Sequence, residues 1–240
     1  MPMDKLLEYG EEMGLSLAAP VLEKFRIYLE ELLHWNRSVN LTRITDPEEV
    51  VVKHFLDSLT CLRALPLADG ERVLDVGSGA GFPGVPLRIV RDIRLVLLDS
   101  SRKRVEFLQH LCRELGLADV EVLHGRAEDL GRREGYREAF AVVLARAVAS
   151  LDVLAEYCLP LTAQGGYFLA QKGPKAEEEL AAASGAIGLL GGKLARVERV
   201  VLPAGAGERC LILIQKVNGT PPQYPRKAGI PAKRPLGKYS

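Results

Sequence analysis

The stretch from residue 73 to 84 constrains this chain most. The apolar residues Val73, Leu74 and Val76 flank one carboxylate, Asp75, and run directly into Gly77, Gly79, Gly81 and Gly84. Four glycines so close together after a strand let the backbone turn sharply and approach a ligand with no Cβ between them. A helix beginning near Gly84 then offers unpaired N–H groups at its N-terminus. Asp99 closes the next apolar run, 22 residues after Gly77. A carboxylate there can accept hydrogen bonds from both hydroxyls of a ribose, which places an adenosine at the carboxyl ends of the strands.

The rest of the chain supplies a matching frame. Short runs rich in valine and leucine at 73–76, 95–98, 120–123, 141–144 and 167–170 alternate with helical stretches such as 102–115 and 151–161. Such alternation predicts a mostly parallel sheet covered by helices on both faces. Two further strand-like runs, 195–202 and 210–216, are joined by a short Pro/Gly loop, so the sheet should end in an antiparallel hairpin. Before the sheet, apolar residues at helical spacing predict a helix over 21–35, and a second over 47–65 with Asp46 as N-cap and Pro66 as terminator. Residues 36–45 read as a polar connection. The division expected is an N-terminal helical extension, 1–66, an α/β domain, 67–217, and a basic Pro/Gly-rich tail, 218–240. That tail has no periodicity and reads as extended rather than packed.

Composition excludes more than it identifies. With 32 basic and 31 acidic residues, net charge says nothing about partners. No apolar run approaches the ~20 residues of a membrane helix. Residues 1–10 alternate charge with leucine, unlike a signal peptide. The four cysteines, Cys61, Cys112, Cys158 and Cys210, form no close pair, which argues against a metal site or a disulfide framework and suits a reducing cytoplasm.

The glycine loop by itself leaves the ligand open. Gly79, Gly81 and Gly84 also satisfy the dinucleotide pattern of NAD-binding proteins, and a purely structural strand-to-helix turn is a third reading. Asp75 and the terminal hairpin favour S-adenosylmethionine: the carboxylate is close enough to meet the cationic methionyl end of that cofactor, and NAD-binding sheets usually finish parallel.

In order and spacing, the chain resembles the RsmG (GidB) family, bacterial enzymes that methylate guanine N7 in 16S ribosomal RNA. The resemblance runs from Trp35 and Asn36 through His54–Leu59, the glycine loop, Asp99 and Ser100, Arg126 to Glu128, and Ala145 to Ala147. It ends in the tail from Tyr224 to Leu236. It implies a class I S-adenosylmethionine-dependent methyltransferase fold, Rossmann-like α/β, with 16S ribosomal RNA or the small ribosomal subunit as partner. It further implies that Gly77 and Phe82 line the cofactor pocket, that Ala127 and Glu128 hold the adenine end, and that Arg146 faces both cofactor and substrate. Phe82 as a hydrophobic staple and Glu128 as a first-turn carboxylate remain alternatives.

What is missing fits this chemistry. The Asn/Asp-Pro-Pro-Tyr/Phe motif of exocyclic-amine methylation is absent where Ala145, Arg146, Ala147 and Val148 stand, and no cysteine lies in a loop at that edge. The N7 lone pair needs no deprotonation, so His54 and Asp57 read as a positioning pair rather than an acid–base pair. For RNA, the tail offers Arg226, Lys227, Lys233, Arg234 and Lys238 with Tyr224 and Tyr239 interleaved. Lys172 and Lys175 add cations at the sheet's carboxyl edge, and Arg43 in the N-terminal connection adds another. An NAD(P)-dependent oxidoreductase and a non-catalytic RNA-binding or assembly factor are the two rival functions.

Overall fold

The computed structural model describes residues 1–65 and 67–237. Lys238, Tyr239 and the expected stop at Pro66 lie outside them. Among the described residues one seven-stranded sheet runs in the order β3-β2-β1-β4-β5-β7-β6. Its strands are β1 (Arg72–Val76), β2 (Arg94–Asp99), β3 (Val120–His124), β4 (Phe140–Arg146), β5 (Thr162–Lys172), β6 (Gly192–Val201) and β7 (Glu208–Lys216). The first five are mutually parallel, and β7 is antiparallel to both β5 and β6. This is the sheet the alternation predicted, and the hairpin closes it.

The physical reason is visible in side-chain direction. Val73, Leu95, Leu97, Val142, Leu144 and Leu169 point to one face, while Leu74, Val76, Val96, Leu98, Val143 and Phe168 point to the other. A strand buried on both sides must be apolar at consecutive positions, hence the unbroken runs. On the second face lie α7 (Ala127–Leu130), α8 (Leu151–Cys158) and α9 (Ala176–Leu189). The first face carries α5 (Gly84–Val90), α6 (Arg102–Glu114) and the whole N-terminal extension.

That extension departs from expectation twice. It opens with a helix the sequence analysis did not predict, α1 (Pro2–Glu12), whose Leu6 is fully buried. After α2 (Ala19–Val39), the single helix expected over 47–65 is instead a succession of turns: α3 (Pro47–Val50), a π-helical segment (Val51–Leu56), α4 (Asp57–Leu59) and a 3₁₀ turn (Thr60–Arg63). Carbonyls here have partners outside the α-helical ladder. The Asp57 carbonyl accepts from Gln171 Nε2 at 2.7 Å and from Thr60 Oγ1 at 2.6 Å. Such widened turns occur often at functional sites.

The tail is also not the extended, unpacked segment expected. It folds back across α7 and α8 and includes a short helix, α10 (Ile230–Lys233). Arg137 donates to the carbonyls of Thr220 and Tyr224, each at 2.8 Å. Glu156 lies completely buried on α8, accepts the Arg226 backbone N–H at 2.8 Å and is clasped by the Arg226 guanidinium. A buried carboxylate needs such a partner, and the tail supplies it.

Candidate cofactor cleft and the sheet edge beside it

The glycine loop connects β1 to α5 beneath the end of β2. Gly77 and Ser78 donate backbone N–H groups to the Leu98 carbonyl at 2.8 and 3.1 Å, so the loop hangs from the neighbouring strand. Asp99 stitches it further: its Oδ2 accepts the Gly79 N–H at 2.9 Å and its Oδ1 accepts the Ser101 N–H at 2.8 Å. Each carboxylate oxygen retains a second lone pair for a ligand.

The glycines have different duties. Gly77 has φ +70°, and a Cβ there would lie 2.7 Å from Val148. Gly79 has φ +60°, and its nearest such contact is 3.9 Å away, so this position faces open space. Gly81 has φ +96°, but a Cβ there would strike the Tyr28 hydroxyl at 2.6 Å. It serves close packing against α2, whose Tyr28 hydroxyl donates to the Ala80 carbonyl at 2.5 Å.

Asp75 lies under this loop with no solvent exposure. Its Oδ2 accepts the Gly84 N–H at 2.9 Å. Its Oδ1 has no hydrogen-bond partner, the one such buried side-chain atom among the described residues. Burial pushes the carboxyl up to about 7, while the Gly84 N–H and Arg146 favour the ionised form. An orphaned acceptor in a buried site is costly without a ligand.

Beside the loop, a cleft of about 170 Å³ is lined by Gly77, Asp99, Ser100, Ala127, Glu128 and Tyr157 among others. Glu128 is buried, and its Oε1 accepts the Gly229 N–H of the tail at 2.8 Å. A strand-end carboxylate, a glycine cradle and an unsatisfied buried acid together fit a ligand with an adenosine at one end and a cation at the other. S-adenosylmethionine has that form.

Phe82 and Arg146 belong to a neighbouring cluster. The Phe82 ring is buried between Tyr28 and His54, with centroids 5.2 and 4.6 Å away, and the Arg146 guanidinium lies over it at 4.9 Å. Phe82 thus supports Arg146 from behind the glycine loop. Arg146, the last residue of β4, donates to Asp57 Oδ2 at 2.9 Å and approaches His54 Nδ1 at 3.4 Å. Asp57 Oδ1 also receives Arg209 Nε from β7 and Gln171 Nε2 from β5, both at 2.9 Å. His54 Nε2 meets the Thr42 hydroxyl at 2.8 Å. Burial, reinforced by Arg146, lowers His54 to about 3, so the ring is neutral at physiological pH. Sequence reasoning paired His54 with Asp57 from their spacing but missed Arg209 and Gln171; only the strand order brings those to the same edge.

The cations expected to meet RNA fall into two groups. Arg43, Lys175, Lys227, Lys233 and Arg234 are exposed. Arg226 is committed to Glu156, and Lys172 is buried, its ammonium bound to the Ala149 carbonyl at 2.5 Å and to Glu179 at 2.7 Å. Neither is a free phosphate ligand as it stands, because each neutralises a carboxylate within the fold. Among the described residues, no helix is long and apolar enough to cross a membrane.

Comparison with known proteins brings the geometry to a family. The model described as GidB, rRNA small subunit methyltransferase G, matches residues 21–206. A Desulforamulus reducens protein named Ribosomal RNA small subunit methyltransferase G is 48% identical over 232 residues, covering 96% of this chain and 97% of its own. A protein of the same name from Pelotomaculum thermopropionicum is 48% identical over 234 residues, covering 97% and 98%. Among solved structures, a SAM-dependent methyltransferase from Aquifex aeolicus superposes with a TM-score of 0.51 over 73% of this chain and 96% of that one. At 20% identity that likeness shows the fold alone. The oxidoreductase and non-catalytic rivals have no support beside a sequence match of this extent. The chain belongs to the ribosomal RNA small subunit methyltransferase G family.

Proposed function

We propose that this protein transfers the methyl group of S-adenosylmethionine to N7 of a guanine in 16S ribosomal RNA, acting on the small subunit or its RNA in the cytoplasm. The observation that carries the N7 assignment is that the two groups bonded to Arg146, His54 and Asp57, are both disabled as bases. His54 is held neutral with its basicity suppressed, and both oxygens of Asp57 are occupied by donors. An exocyclic amine must lose a proton around the time of attack, and a ring carbon must first be activated; the N7 lone pair needs neither.

S-adenosylmethionine, when bound, supplies an electrophilic methyl on a sulfonium. The chain's residues hold and orient. Asp99 accepts the ribose hydroxyls, with Ser100 beside it. Ala127 and Glu128 close the adenine end. Asp75 balances the cationic end from beneath Gly77, Gly79 and Gly81. Arg146, braced by Phe82 and Asp57, fixes the boundary between cofactor and acceptor. Catalysis by positioning alone is sufficient for a nucleophile that is already competent. Arg43, Lys175, Lys227, Lys233 and Arg234 hold RNA phosphates.

A target RNA carrying 7-deazaguanosine at the modified position should bind with unchanged affinity and accept no methyl. Methyl incorporation into that RNA would overturn the N7 assignment.

A further inference from the structure

A second cavity, of about 480 Å³, opens at the same sheet edge. Its wall includes His54 and Asp57 from the extension, Arg146 from β4, Lys172 from β5, Arg209 from β7 and Glu179 from α9. The volume lies within the roughly 300–1,000 Å³ of small-molecule sites. Most of its polar groups are already engaged. Asp57 receives three side-chain donors, His54 faces Thr42 and Arg146, and Lys53 pairs with Glu49 at 2.5 Å.

Glu179 differs from the rest. Its Oε2 accepts Lys172 Nζ at 2.7 Å and the Leu151 backbone N–H at 2.9 Å. Its Oε1 enters no hydrogen bond among the described residues, and the side chain keeps 30% of its surface exposed. One oxygen therefore braces the loop that follows β4, and the other remains open on the cavity wall. An ionised carboxylate only accepts hydrogen bonds. Guanine presents two adjacent donors, N1–H and the exocyclic N2 amine, whereas adenine has neither at those positions.

We infer that this cavity is the pocket for the acceptor base, and that Glu179 accepts from N1–H and the N2 amine of guanine. This rests on the methyl-transfer reading above. Anchoring the purine by its six-membered ring leaves N7, on the five-membered ring, free to face the cofactor cleft. Glu179 is then the residue that selects guanine over adenine, because a site built to receive donors rejects a base that lacks them.

Inosine tests this directly: it keeps N7, O6 and N1–H but lacks the N2 amine. Wild-type protein should methylate a target RNA with guanosine at least tenfold faster, in kcat/KM, than the same RNA with inosine. That is about 1.4 kcal/mol. In Glu179→Gln the carbonyl oxygen still braces Leu151 while an amide donor replaces the open acceptor. The variant should slow on guanosine RNA and show a guanosine-to-inosine ratio within about twofold of unity, with S-adenosylmethionine affinity unchanged. An undiminished ratio in Glu179→Gln would reduce the residue to a loop brace and overturn the proposal. Should that variant fail to fold, the wild-type comparison suffices, since equal rates on the two RNAs overturn it as well. Wild-type protein inactive even on guanosine RNA would instead sink the methyl-transfer reading, and the pocket with it.

Discussion

Asp75 keeps a buried carboxyl oxygen without a partner, and its acidity follows from that placement. Folded, it titrates at about 7; its ordinary value is 3.8. Between those values the folded protein holds a proton that the unfolded chain has lost. The ligand-free protein therefore loses stability as pH rises from about 4 to about 7, with no further loss from this group above it. Asparagine cannot ionise, so Asp75→Asn should melt higher than wild type at about pH 8, by up to a few kcal/mol, and nearly equally at about pH 4. The same substitution should abolish the pH dependence of cofactor binding. Wild-type affinity for S-adenosylmethionine should rise roughly tenfold from about pH 6 to 8 and then level off, because the cation must expel the proton. Titration calorimetry showing wild-type affinity flat across this range would mean that Asp75 does not face the cation. Asp75 and Asp99 were legible in the sequence because one lies two positions before the first glycine and the other closes the next apolar run. The separate duty of Gly81 was not: its obstacle is Tyr28, 53 positions earlier in the chain, and nothing local announces it.

At the scale of elements, the parallel strands were readable because burial on both faces leaves an unbroken apolar run. The tail was not, because its anchors lie far from it in sequence. Glu156 and Arg226 are 70 residues apart, and Glu128 and Gly229 are 101 apart. Composition alone describes a solvated terminus; only the fold shows two buried carboxylates waiting for it. Arg226→Ala should accordingly act on the domain rather than on RNA. It leaves Glu156 buried with only the backbone N–H of residue 226 as partner, a loss of up to roughly 3–5 kcal/mol. It also loosens the Gly229 contact to Glu128, so S-adenosylmethionine affinity should fall along with the melting temperature. A variant with unaltered stability in thermal denaturation would show that the ion pair carries no such weight. The turns between Pro47 and Arg63 hid for a related reason: their apolar spacing is helical, but the Asp57 carbonyl is drawn to Gln171 as well as to its neighbour Thr60, and the Gln171 contact appears only after β5 is in place.

For the whole molecule, the division of cations decides how RNA binding should respond to salt. Lys227, Lys233 and Arg234 are exposed, whereas Arg226 is committed to Glu156. Each single-strand phosphate neutralised contributes about 0.7 to the slope of log affinity against log salt. Replacing Lys227, Lys233 and Arg234 by glutamine should flatten that slope by about 2, and should leave cofactor affinity and melting temperature unchanged. A slope identical to wild type would move RNA recognition to Lys175 after β5 and Arg43 after α2. The backbone link from Gly229 to Glu128 has a consequence in time as well as in space. Translation delivers the glycine loop first and then Glu128, which precedes Gly229 by 101 residues. A chain paused between Lys216, the last residue of the sheet, and Gly229 owns every strand yet leaves the Glu128 carboxylate without its backbone donor. The contact that the returning segment makes with Glu128 is therefore among the last that synthesis allows, and a partly made copy should lack it while still attached to a ribosome.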